Sequence, residues 1–131
     1  MNFLKSPPVR SAALREAFRL IPCQNCGADD GTVCAAHSNL GVHGKAGALK
    51  ASDERCCSLC FRCHGELDQG SRLTYDERRA LWWRAHVKSI ELLARRGLWP
   101  AGVPIPDTTM PEELPAHAPL TNTNTWEDPF Q

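Results

Sequence analysis

Two Cys-x-x-Cys pairs, Cys23/Cys26 and Cys60/Cys63, are the residues whose spacing points most directly to chemistry. Two intervening residues let both thiolates of a pair face one ion from a single turn, and two such turns complete a tetrahedral shell. The expected occupant is one structural zinc. Such an ion contributes on the order of 10 kcal/mol to the folding of a small domain. The alternative is a set of buried free thiols. The chain carries seven cysteines in 131 residues. It opens MNFLKSPPVR, without the apolar core and small-residue cleavage site of an export signal, so a disulfide framework is not expected. The odd count would leave one thiol unpaired in any case. Of the remaining three, Cys34 and one of Cys56 and Cys57 are expected to face the core from strands, as small hydrophobes. A second metal cluster is the alternative.

The elements that must position these cysteines follow from pattern. Residues 9–20 suit an amphipathic helix with Ala13, Leu14, Phe18 and Leu20 on one side and Arg10, Arg15 and Arg19 on the other. Pro22 ends it, and Cys23 to Gly27 forms a metal knuckle. Thr32 to Ala36 and Arg55 to Leu59 read as strands, with residues 38–54 as a loop between them. His64 to Gln69 begins a short helix. Thr74 and Glu77 form a capping box for a long helix from Tyr75 to Arg96, followed by Gly97 as its stop. Leu81, Trp82, Ala85, Ser89, Leu92 and Leu93 are its expected buried stripe. The fold class is thus small α+β, with domain 1–100 followed by a Pro-rich tail, 101–131, expected to be extended or disordered.

Net charge is zero but unevenly placed. Residues 1–100 hold all 15 Lys and Arg against 10 acids, a net of +5. Residues 101–131 hold five acids and no Lys or Arg, a net of −5. A basic body suits a polyanionic partner, and an acidic tail could cover the surface such a partner uses; a solvated surface and tail are the plainer alternative. The chain has no apolar run of about 20 residues. It is expected to be cytoplasmic, with no membrane partner.

The stretch between the knuckles is longer than a simple zinc ribbon needs: 33 residues, 27–59, where about 15–20 are usual. It contains Ala36-His37-Ser38-Asn39, His43-Gly44-Lys45 and Lys50-Ala51-Ser52-Asp53, and it leads to Leu59-Cys60-x-x-Cys63-His64 and Leu67-Asp68-Gln69-Gly70. Over roughly residues 20–97 this run resembles the HNH (ββα-metal) endonuclease family. It is most similar to short phage and prophage members, including the Ref type of recombination-associated nuclease. The resemblance implies a ββα-metal core stapled by the four-cysteine zinc. It implies hydrolysis of DNA phosphodiester bonds, leaving 5′-phosphate and 3′-hydroxyl ends. His37 would be the general base and His64 a ligand of a second divalent metal: magnesium, manganese or zinc. DNA, duplex or single-stranded, would be the substrate, and a recombinase or other phage DNA-processing protein a partner.

A single histidine is too few ligands for that metal. Asp68 lies four residues after His64, so the two share a helix face, and Asp68 is taken as a second ligand. The alternative is a surface or capping carboxylate. His86 is a third candidate, or else a packed histidine beside Trp82 and Ile90. His43, Lys45 and Lys50 are expected to contact phosphates, or to sit in a solvated loop. Asp53 would orient His37 or pin the loop. Two positions depart from the family: Ala36 stands where many members have an acidic or histidine ligand, and Arg55 where the middle Asn falls. A catalytically inactive zinc module that binds nucleic acid or a protein is therefore the other functional reading.

Overall fold

The computed structural model describes residues 8–38, 51–70 and 72–111. Ser11 starts the first helix, α1 (Ala12–Phe18), by accepting the Leu14 amide on its hydroxyl. The helix starts later than the sequence pattern suggests. Val9 is held outside it: its amide donates to Ser52 Oγ at 2.6 Å and its carbonyl accepts from the Asp53 amide at 2.9 Å. The helix also stops short, in a turn whose Arg19 and Leu20 amides reach back to Glu16 and Ala17.

The two strands are β1 (Cys34–His37) and β2 (Cys56–Leu59). They pair antiparallel, with Cys34 opposite Leu59 and His37 opposite Cys56. β1 lies later than the expected strand, because Thr32 is taken up by side-chain bonding to Asp30 and to the Phe61 amide. Helix α2 (Phe61–Asp68) follows β2 directly, with Cys60 as its N-cap, so the second knuckle is the helix's own first turn. The expected start at His64 is three residues late.

Helix α3 (Tyr75–Arg95) has the reciprocal Thr74–Glu77 capping box, and Gly97 turns the chain out of it at φ 71°. Its buried face is wider than expected. Trp83, His86 and Ile90 are buried with Leu81, Trp82, Ala85, Ser89 and Leu93, whereas Leu92 is only half-buried. The cause is the way α3 lies along β2. Ser58 N–H donates to Ser89 Oγ at 3.0 Å, His86 Nδ1 bonds the Cys56 carbonyl at 2.7 Å, and the Gln24 amide of the first knuckle takes the Ser58 carbonyl at 2.8 Å. Backbone groups that a third strand would satisfy are satisfied by helix side chains and a knuckle.

The hairpin is packed on both faces. Ala36, Cys57 and Leu59 join the four knuckle cysteines, Leu67, Leu81, Trp82 and Trp83. Cys56 and Ala35 face Leu14, Phe18, Ile21, Ile90 and Leu93 on the other side. Both adjacent cysteines are therefore core residues, not one, and Cys34 is only half-buried. Of the tail, residues 104–111 form neither helix nor strand. Trp99 lies edge-on to Phe18, Trp99 Nε1 donates to the Val103 carbonyl, and Arg55 donates to the Asp107 carbonyl at 2.9 Å. Residues 112–131, with Trp126 and Phe130, lie outside the described residues. No helix among the described residues is long and apolar enough to cross a membrane.

Candidate metal centre and histidine pairs

The two knuckles meet. Cys23, Cys26, Cys60 and Cys63 are all buried, and their sulfur atoms lie within 4.8 Å of one another. Bonds of about 2.3 Å to a tetrahedral zinc place neighbouring sulfurs about 3.8 Å apart. Cys26 Sγ and Cys60 Sγ are 3.7 Å apart. The amides of Asn25 and Cys26 point at Cys23 Sγ, each at 3.4 Å, and Asn25 Nδ2 donates to Cys63 Sγ at 3.3 Å. Such N–H···S bonds offset thiolate charge. The group could hold a structural metal such as zinc, and its donors and spacing fit one. Without a cation, four thiols this close cannot all ionise. The hydrogen bond with Cys63 drives Cys23 toward thiolate against the opposing effect of burial, and Cys63 is pushed up in turn. Burial raises Cys26 as well.

His37 ends β1, pointing to the α1 face. Its Nε2 lies 2.7 Å from Asp53 Oδ1. The Asp53 side chain is 2% exposed and takes two further donors on Oδ2, the Ser11 amide at 2.7 Å and Arg15 NH1 at 2.6 Å. Arg10 NH1 stands 3.6 Å from its other oxygen. Burial alone would raise this carboxyl. His37, the Ser11 amide and Arg15 outweigh it and hold Asp53 below the usual carboxylate range. A carboxylate only accepts, so His37 Nε2 carries a proton, and in the neutral ring Nδ1 carries the lone pair. Nδ1 has no hydrogen-bond partner among the described residues. Asp53 thus both orients His37 and pins its own segment to the start of α1. Arg10 and Arg15, from the basic side expected on α1, reach this carboxylate while their side chains stay 44% and 39% exposed.

His64 lies on the opposite face of the hairpin. Its Nε2 meets Asp68 Oδ2 at 3.0 Å, the i,i+4 contact that the spacing predicts. Its Nδ1 meets Cys34 Sγ at 3.2 Å, which the sequence did not suggest. Asp68 raises the His64 pKa, with burial opposing it. Burial also pushes the Cys34 thiol up, with Arg19 opposing. Strand alternation puts Cys34 and Ala36 on the α2 side and Ala35 and His37 on the α1 side.

His86 is wholly buried and stacked on Trp82 at 4.5 Å between ring centroids. Its Nδ1 serves the Cys56 carbonyl and its Nε2 lies 3.4 Å from Arg55 NH1. Among the described residues, the four cysteines are the one group of three or more side chains placed to share an ion. The structure does not gather His64, Asp68 and His86 into a second. His43, Lys45 and Lys50 lie outside the described residues. No family model, curated protein or solved structure matches this chain.

Proposed function

We propose that the chain is an HNH-type, metal-dependent endonuclease that hydrolyses DNA phosphodiester bonds, with a four-cysteine zinc as its structural clamp. The observation that carries it is the His37–Asp53 pair, a strand-end imidazole tied at 2.7 Å to a carboxylate buried to 2% exposure. A histidine so held keeps one tautomer. His37 Nδ1 takes the proton of an attacking water, and Asp53 stabilises the resulting imidazolium, as the carboxylate does in other base–carboxylate pairs. His64, its ring supported by Asp68, would help to hold a second divalent ion, which when bound supplies positive charge at the phosphate. His43, Lys45 and Lys50 would contact the DNA backbone. Phage or prophage DNA processing, alongside a recombinase, is the setting the motif suggests.

The test is cleavage of plasmid and single-stranded DNA in magnesium, manganese or zinc. Wild type should cut, while His37→Ala should lose at least about a hundredfold, the usual contribution of a general base. Wild-type cleavage no faster than His37→Ala in every metal would end this reading.

A second reading, a non-catalytic zinc module for nucleic acid or a protein, is favoured by two observations. His37 and His64 address opposite faces of the hairpin, and the described residues assemble no second three-ligand group. That module would bind DNA in a salt-sensitive way, unchanged by His37→Ala or His64→Ala. Loss of binding in both folded variants would remove it.

A further inference from the structure

We infer that Cys34 and His64 form a second, solvent-reachable metal site for a borderline-soft divalent ion such as zinc, cobalt or nickel, with Asp68 bonded to the histidine ring instead of to the ion. This rests on His64 being a metal ligand, but not on the chain cutting DNA.

The geometry is specific about which atom does what. His64 and Asp68 are one turn apart on α2, and Nε2 meets Asp68 Oδ2 at 3.0 Å. The carboxylate can only accept, so Nε2 keeps its proton, and in the neutral ring Nδ1 presents a lone pair. Cys34 Sγ sits 3.2 Å from that atom. An ion bonded to sulfur at about 2.3 Å and to nitrogen at about 2.05 Å sets the two about 3.1 Å apart at a right angle and about 3.5 Å apart at a tetrahedral one. The observed separation falls inside that range. A carboxylate on the far nitrogen of a ligating imidazole is the usual support for such a bond, because it fixes the tautomer and makes the ring a better donor.

Both donors are held by elements already braced. Cys34 pairs with Leu59, the residue before the second knuckle, and His64 follows Cys63 within it. The four-cysteine clamp therefore sets the spacing of this pair. The pair is also reachable: Cys34 is half-buried, and the side chains of His64 and Asp68 are 31% and 36% exposed. On binding, the thiol proton leaves to solvent and a metal–thiolate bond takes its place. Two protein ligands leave further positions for water or a phosphate oxygen. They also make the site weaker than the cysteine group, so the first equivalent of metal fills the cysteines. Thiolate and imidazole together select against magnesium and calcium, which favour oxygen.

The test is a cobalt titration of the metal-free full chain, read by absorption and by metal content per chain. Wild type should take two ions, the second adding a weaker thiolate-to-cobalt band than the first. Cys34→Ala and His64→Ala should each take one. Asp68→Asn should still take two, since its amide oxygen can accept the ring N–H, with second-site affinity lowered about tenfold. The tetrahedral cobalt spectrum of the first equivalent confirms in each variant that the clamp has folded. Saturation of wild type at one ion overturns the inference. So does a second ion that survives Cys34→Ala, or one lost in Asp68→Asn but kept in Cys34→Ala, which would make Asp68 the ligand. Should His64→Ala fail to fold, Cys34→Ala alone decides. DNA cleavage is not the readout: two ions bound with no cleavage would remove the nuclease and leave this site standing.

Discussion

Replacing Asp53 with Asn tests the link between the N-terminal helix and the histidine at the end of β1. The carboxylate accepts from the Ser11 amide at 2.7 Å, His37 Nε2 at 2.7 Å and Arg15 NH1 at 2.6 Å. The amide keeps the shape and one acceptor oxygen but loses the charge. Hydrogen bonds to a charged group exceed neutral ones by about 1 kcal/mol each, which applies to the sheltered Ser11 and His37 contacts. Arg15 is 39% exposed and returns to water, so its share is at most about 1 kcal/mol. The expected loss is about 2–3 kcal/mol, read by guanidinium unfolding of the zinc-loaded protein through tryptophan fluorescence. The pH dependence has a definite sign. Asp53 is held below its ordinary value of 3.8, so its contribution is complete above that value and is lost as pH falls through the lower, folded one. The difference between wild type and Asp53→Asn should therefore stay constant from about pH 7 to about pH 5. A loss under about 0.5 kcal/mol would refute the buried-acceptor account. A difference that decays over the ordinary histidine range would assign the effect to a histidine charge instead.

Two further outcomes are expected. Chelation of the metal, or Cys26→Ser, should abolish cooperative unfolding and near-ultraviolet circular dichroism together, because the clamp joins the first knuckle to α2; an unchanged melting curve after full chelation would contradict this. His86→Phe keeps an aromatic ring against Trp82 but leaves the Cys56 carbonyl without its 2.7 Å donor. It should cost about 1–3 kcal/mol in denaturant unfolding, and a neutral result would mean that carbonyl has another partner.

The knuckles and α3 were legible in the sequence because their signals are local. A Cys-x-x-Cys pair and a Thr–Glu capping box each place their atoms within one turn. The i,i+4 contact of His64 and Asp68 was legible for the same reason. What escaped depends on tertiary partners. Val9 looked helical, but pairs with Ser52 and Asp53, which no window on residues 9–20 contains. Cys56 and Cys57 looked like one inward and one outward residue, because a two-stranded sheet normally wets one face. Here α1 covers one face while the knuckles, α2 and part of α3 cover the other. His86 carries no sequence mark to tell a ligand from a packed ring, and only the edge of β2 explains it. The contact between Cys34 and His64 spans 30 positions and joins a strand to a helix, so no local pattern shows it.

The buried carboxylate also bears on where the protein can be cut. A fragment chosen by its motifs would begin just before Cys23 and retain all four cysteines, both strands and α2. It would omit Ser11 and Arg15, two of the donors on Asp53, together with Leu14, Ala17 and Phe18, which cover Cys56. Such a piece would carry a closed metal clamp beside an acid stripped of its arginines and of the Ser11 amide, and one face of its hairpin would be bare. A fragment that keeps these donors, and the pairing of Val9 with Ser52 and Asp53, starts no later than Val9.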